Sequence, residues 1–133
     1  MSLPDKPQST PCPCGSSKKL GDCCLPFLQQ KALPPTAEQL MRSRYTAFVL
    51  ADEGYLRYSW YPDSCPKTIH LQADTRWLGL KIISTTAGQS EDTEGTVAFV
   101  ARYKNGGKAT RIEENSRFVR FEGRWVYLGA QDA

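Results

Sequence analysis

Apolar positions along this chain follow two different periods. Leu40, Met41, Tyr45, Phe48 and Val49 recur at helical spacing. They stand behind Thr36-Ala37-Glu38-Gln39, where Thr36 suits an N-cap and Gln39, three residues on, suits a capping box. The spacing predicts a helix ending near Asp52-Glu53-Gly54, where glycine can take positive φ. A second short helix is predicted over Tyr55 to Trp60, and Pro62 and Pro66 bracket a loop. From residue 76 the period shortens. Trp77-Leu78-Gly79-Leu80-Lys81-Ile82-Ile83 is rich in β-formers, and Gly88 to Glu94 reads as a turn. Val97, Phe99, Ala101 and Tyr103 then alternate with Ala98, Val100 and Arg102. Asn105-Gly106 predicts a hairpin turn. A strand comes next over about 108–121, Glu122-Gly123 turns the chain, and Arg124 to Leu128 forms a last strand. Helices succeeded by an antiparallel meander give an α+β class with the helices on one sheet face.

Ahead of this pattern lie segments of different character. Residues 1–11 hold three prolines and few apolar groups and read as a flexible tail. Residues 12–24 hold four of the five cysteines. Leu25-Pro26-Phe27-Leu28 is a short apolar stretch suited to packing this segment onto the main domain. The expected division is a tail (1–11), a cysteine knuckle (12–30) and a main domain (36–130).

The length of 133 residues suits one domain with a real core. No apolar run approaches the roughly 20 residues of a membrane span, and the polar N-terminus shows no secretory h-region. A cytoplasmic protein without a membrane role is the expectation, and reducing conditions there favour clustered cysteines as metal ligands over disulfides. The formal net charge is +3, of which residues 1–35 supply +2 from four basic and two acidic side chains. A pI near 8.6 falls short of the value above about 9 that points to nucleic acid.

Cys12-Pro13-Cys14 and Cys23-Cys24 flank eight residues. Four cysteines at this spacing suit a tetrahedral zinc ion, with Zn–S bonds of about 2.3 Å. Pro13 stiffens the first turn and Gly15 lets it reverse. Four protein sulfurs make a closed, structural site with no place for water or substrate. The cage would carry a formal charge of −2, which Lys18 and Lys19 inside the loop would offset. Free thiols, disulfides and an iron–sulfur centre are the alternatives. Adjacent Cys23 and Cys24 make a strained disulfide, and the usual iron–sulfur spacings differ.

Cys12-Pro13-Cys14-Gly15-Ser16-Ser17-Lys18-Lys19, closing on Cys23-Cys24, resembles the SEC-C motif, a zinc knuckle whose pattern is C-x-C, eight residues, then C followed by H or C. Each of the four ligand positions matches, and Ser17 stands where glycine is usual. Beyond it, Leu40-Met41-Arg42-Ser43-Arg44-Tyr45-Thr46-Ala47-Phe48, Trp77-Leu78-Gly79-Leu80, Gly95-Thr96-Val97-Ala98-Phe99-Val100-Ala101-Arg102-Tyr103 and Glu114-Asn115-Ser116-Arg117-Phe118 resemble the YchJ family of bacterial proteins. The resemblance runs from Cys12 to about Gly129. It implies Zn²⁺ on Cys12, Cys14, Cys23 and Cys24, and a nuclear-transport-factor-2-like (NTF2-like) cone in which a curved sheet wraps over helices. It brings no activity with it. Family members often carry histidine just before the Glu114 position, where this chain has Ile112-Glu113, which argues against histidine chemistry here.

Glu114 and Ser116 interrupt the strand face shared by Ile112 and Phe118, and polar groups on an inward face are costly unless bonded. Cones of this fold often hold a pocket there, so the resemblance makes Arg44, Tyr45, Trp60, Glu114, Ser116 and Arg117 its candidate lining. The plainer reading turns that face to water, or pairs Glu114 with Arg44 or Arg117. Arg42 reads as a solvent-side arginine, and Trp60, Trp77 and Trp125 as core residues before pocket residues. His70, the one histidine, reads as a solvated loop residue, and Cys65 as a lone thiol without a basic neighbour.

The expected function is a zinc-bearing binding or adaptor module. In the SecA ATPase the similar knuckle contacts the chaperone SecB, which makes a protein partner the analogy to test. An enzyme or small-molecule binder using the cone interior is the alternative. Nucleic-acid binding ranks last, since the knuckle loop has no aromatic residue.

Overall fold

The computed structural model describes residues 9–71 and 74–131; the expected tail therefore lies largely outside the described residues. A 3-10 turn, Leu20–Asp22, leads into α1 (Leu25–Leu28), α2 (Ala37–Val49) and α3 (Glu53–Tyr58). Four strands complete the chain: β1 (Thr75–Ala87), β2 (Glu94–Asn105), β3 (Lys108–Phe121) and β4 (Arg124–Ala130). They form one antiparallel sheet in the order β1-β2-β3-β4, and α2 lies against β1, β2 and β4. This is the expected α+β arrangement, helices on one face of a curved meander. Among the described residues no helix is long and apolar enough to cross a membrane.

Thr36 caps α2 as its sequence predicts, its Oγ1 accepting from the Gln39 backbone N–H at 3.2 Å. The helix ends at Val49, earlier than expected, because Asp52 serves the next helix. Its carboxylate accepts from the Tyr55 N–H at 3.0 Å, so α3 begins at Glu53 and stops at Tyr58. The β2–β3 turn also sits one residue later than expected. Asn105 pairs with Lys108, and Gly106 and Gly107 both take positive φ in a two-residue loop.

In β2 the odd positions Val97, Phe99 and Ala101 are buried, and the register carries their face across to Ser116, Glu114 and Ile112 of β3. Period-2 alternation sets that face. Two bulges in β1 fall between Trp77 and Gly79 and between Ile82 and Ser84. The extra residues, Leu78 and Ile83, are 52% and 55% exposed. Alternation alone could not anticipate them, because a bulge leaves one residue without an opposite number.

Gly95 marks a close approach. A Cβ there would lie 2.4 Å from the Gly88 Cα, so only glycine lets the β1–β2 connection fold so tightly. The Gly88 carbonyl then accepts from the Ala37 N–H at 2.9 Å, which seats the start of α2 on the sheet.

The cysteine segment is not a separate lobe. Cys12, Cys14, Leu20, Cys24 and Leu25 belong to the same buried cluster as Leu40, Met41, Tyr45, Val97, Phe118 and Trp125. Leu20 and Leu25 are each fully buried, a contribution of about 1.5–3 kcal/mol apiece. The Trp125 indole N–H donates to the Pro35 carbonyl at 3.1 Å and ties the linker down.

Candidate functional site

α2 is buried on nearly every side. A helix of that kind must satisfy its polar side chains in two directions, and two clusters result, one on each flank.

The first is built by a tight hairpin. Pro11 bridges Lys19, Leu20 N–H donates to Thr10 at 2.7 Å, and Cys12 N–H donates to the Lys18 carbonyl at 2.9 Å. Gly15 (φ 80°) and Ser17 (φ 73°) both take the left-handed conformation that reverses the loop. The 3-10 turn then delivers Cys23 and Cys24. The four sulfurs of Cys12, Cys14, Cys23 and Cys24 lie within 4.8 Å of one another, and none is in a disulfide. Cys14–Cys23 and Cys23–Cys24 separations are 3.7 and 3.9 Å. A tetrahedron with 2.3 Å metal–sulfur bonds has edges of about 3.8 Å, so the shell is sized to hold one metal ion.

Cys12, Cys14 and Cys24 are buried, and Cys23 is partly exposed. As plain thiols they would share protons unequally. Hydrogen bonds from Cys12 and Cys24 draw Cys14 far below the ordinary thiol range. The bond to Cys14 pushes Cys12 up to about 11, and bonding to Cys12 and Cys14 raises Cys24 further. A cation at the centre removes that competition by favouring every thiolate at once.

The groups around the shell correct the sequence reading of Arg42. It does not point to solvent. Its Nη1 donates to the Cys14 carbonyl at 2.8 Å and lies 3.8 Å from the Cys14 sulfur, while Nε donates to Glu38 at 3.1 Å. Ser16 Oγ lies 3.1 Å from the Cys23 sulfur, and Thr46 Oγ1 lies 3.7 Å from that of Cys12. Lys18 and Lys19 are exposed, so the cation against the sulfurs comes from α2. Nothing in the spacing of residues 12–24 reveals this, because Arg42 is 28 residues from Cys14.

The second cluster is a cavity of about 240 Å³ between α2 and the concave sheet face. Of the six candidates, Arg44, Tyr45, Trp60, Glu114 and Ser116 line it. Arg117 does not. It is exposed, opposite Thr96 on the outward set of β3 positions, because successive strand residues face opposite ways. Trp77 also lines the cavity, whereas Trp125 is core.

Arg44 is 4% exposed. Its guanidinium lies 4.6 Å from the Trp60 ring centroid and 4.7 Å from that of Tyr127. Nη1 donates to the Leu56 carbonyl at 2.9 Å and to Ser59 Oγ at 2.8 Å. Burial pulls this arginine down to about 10, a shift that the charge of Glu114 helps to oppose. It is still a cation at neutral pH. Glu114 does not ion-pair through a hydrogen bond as the plainer reading supposed. Its Oε2 accepts from Ser116 Oγ at 2.5 Å and from the Tyr127 hydroxyl at 2.8 Å. Burial, and then the bond to Glu114, hold the Tyr127 phenol well above its usual range.

Alongside the apolar Met41, Phe48, Phe99, Ala101 and Ile112, Tyr127 is the polar lining residue that sequence reasoning missed. A signal existed: it lies two residues after Trp125, on the same face of β4. The segment 59–61 runs beside it, with Tyr127 N–H donating to Ser59 and Tyr61 N–H donating to Tyr127, both at 2.8 Å. That pairing sets Trp60 into the cavity wall.

The remaining candidates stay apart. His70 is exposed in its loop. Cys65 does have a basic neighbour, with Arg57 Nη1 at 3.8 Å, a helix–loop contact invisible in sequence.

Known proteins share this layout. A model of the YchJ middle NTF2-like domain matches residues 36–130, and the SEC-C motif matches residues 9–26. A UPF0225 protein of Ralstonia nicotianae is 49% identical, with 95% of this chain and 94% of that protein aligned. One from Streptomyces coelicolor is 46% identical over 91% of this chain and 94% of its own length. The solution structure of a SEC-C motif containing protein from Rhodopseudomonas palustris matches with a TM-score of 0.81 at 30% identity, covering 92% of this chain and 98% of that one. A crystal structure of a SEC-C motif containing protein from Psychrobacter arcticus matches at 0.71 and 25% identity, over 95% and 84%. In sequence, motif order and fold alike, the chain belongs to the YchJ (UPF0225) family, an NTF2-like domain preceded by a SEC-C motif.

Proposed function

We propose that this protein is a zinc-stapled small-molecule binder of the reducing bacterial cytoplasm. Zn²⁺ on Cys12, Cys14, Cys23 and Cys24 is structural, and the cone cavity receives the ligand. A d¹⁰ ion has no geometric preference of its own and accepts a tetrahedral all-sulfur shell. The observation that carries the reading is that one helix serves both clusters. Arg42 and Thr46 of α2 touch the cage, while Met41, Arg44, Tyr45 and Phe48 of the same helix line the cavity. Fixing the cage therefore fixes a cavity wall, which is how a closed metal site supports binding elsewhere.

The test compares protein purified without added zinc before and after chelation. One zinc per chain is expected, and its removal should broaden amide NMR signals of residues 37–49 along with those of 12–24. Full metal loss with α2 signals unchanged would count against the coupling.

A second reading is favoured by a groove of about 380 Å³ beside the cage, lined by Lys18, Asp22, Cys23, Phe27, Glu38 and Arg42 among others. It offers both charges and one aromatic edge to a protein partner, the adaptor role. Lys18→Glu combined with Phe27→Ser leaves the four sulfurs in place. Capture of the same partners by this variant and by wild type would remove the adaptor reading.

A further inference from the structure

The cavity's lining carries more information than its volume. We infer that it takes a small, uncharged, ring-bearing molecule presenting one N–H or O–H donor, an inference that rests on the small-molecule reading above.

Size sets the first bound. An apolar cavity of about 150 Å³ accepts benzene, and drug-sized ligands occupy roughly 300 Å³ or more. At about 240 Å³ this cavity suits a substituted single ring or a compact bicycle. The walls set the second. Trp77 forms one of them, with ring centroids 5.5 Å from Tyr45 and 5.8 Å from Phe48, which line the cavity beside it. Aromatic edges and faces at such distances favour another ring as guest.

Charge sets the third. Among the described residues, Arg44 and Glu114 are the two charged groups lining the cavity, and they attract one another through space. Their sum is zero. A guest with a net charge of either sign leaves one charge uncompensated in an apolar surround, which is expensive.

Hydrogen-bond accounting sets the fourth. Arg44 Nη1 is committed to Leu56 and Ser59, whereas its Nε and Nη2 donate to no described group and can meet an acceptor on the same guest, such as the oxygen of a hydroxyl. Ser116 and Tyr127 both spend their protons on Glu114 Oε2, and the Tyr45 oxygen accepts from the Gly79 backbone N–H. Glu114 Oε1 accepts from no described side chain or backbone group. It is not shut away either, since among the described residues the buried side-chain polar atom lacking a partner is Arg124 Nε. An accessible carboxylate oxygen beside aromatic walls asks for a donor.

The test uses the zinc-loaded full chain and four single-ring probes: phenol, anisole, benzoate and benzylammonium. Binding is followed by amide NMR shifts of residues 41–48 and 112–116. Phenol, neutral with a donor, is expected to bind at least tenfold more tightly than the other three. In Glu114→Gln the charge balance is lost and Arg44 is left uncompensated, so benzoate should gain at least tenfold and overtake phenol. If anisole, benzoate or benzylammonium matches phenol on wild type while the pocket signals move, the ligand class is wrong and the pocket stands. If no probe moves those signals, the pocket reading itself fails. The wild-type ranking decides alone should Glu114→Gln not fold.

Discussion

The two flanks of α2 handle buried polar groups in opposite ways. The cage gathers four identical donors within 4.8 Å of one another, two of the separations close to a tetrahedral edge, so that a single ion can satisfy all of them. The pocket gathers unlike groups: Ser116 and Tyr127 both answer Glu114 Oε2, Arg44 Nη1 turns to Leu56 and Ser59, and a cavity and one carboxylate oxygen are left over. In the reading proposed above, saturation makes the first a structural device, and incomplete saturation around an aromatic-walled space makes the second the place where a ligand can gain free energy. The general lesson is that buried polarity signals function only when part of it is left unanswered.

The comparison breaks most visibly at the metal. Cys24→Ser, or chelation of wild type, should lower stability in urea by on the order of 5 kcal/mol or more. Zinc binding free energy in such sites is folding free energy, and Cys24 lies in the main core cluster. A loss confined to order in residues 12–24, with an unchanged urea midpoint, would return the cage to the status of a detached knuckle.

A smaller effect separates the flanks. Arg44→Met should cost about 3 kcal/mol, since it leaves Glu114 uncompensated and removes the donor to Leu56 and Ser59, yet zinc affinity should not change. Arg42→Ala should do the reverse, weakening zinc roughly tenfold in competition with a chromophoric chelator, at a stability cost nearer 1.5 kcal/mol. Equal effects of both variants on zinc would mean that the two clusters are one.

The smallest effect sharpens the knuckle turn. Ser17 holds φ 73° without being glycine, so Ser17→Gly should raise stability by about 0.5–1 kcal/mol in the same urea assay.

How much of this was legible in the residues depends on range. The cysteine pairs, the Thr36 cap and the β2 alternation are local patterns, and local patterns state their own geometry. The inward face of Ile112, Glu114, Ser116 and Phe118 was readable as a polar interruption, though not its partners. Tyr127 meets Glu114 across 13 positions and Arg42 meets Cys14 across 28. No period encodes such meetings. They arise from how helix and sheet pack. Arg117 was misplaced for a simpler reason: proximity to Ser116 in sequence says nothing of face when neighbours point opposite ways. The β1 bulges escaped because each consumes a single residue without altering composition.

Zinc K-edge X-ray absorption on protein purified without added metal is the most direct trial of the central claim. It should show one zinc per chain with four sulfur neighbours at about 2.3 Å. Nitrogen or oxygen in the coordination shell, fewer than four sulfurs, or no stoichiometric zinc would contradict it.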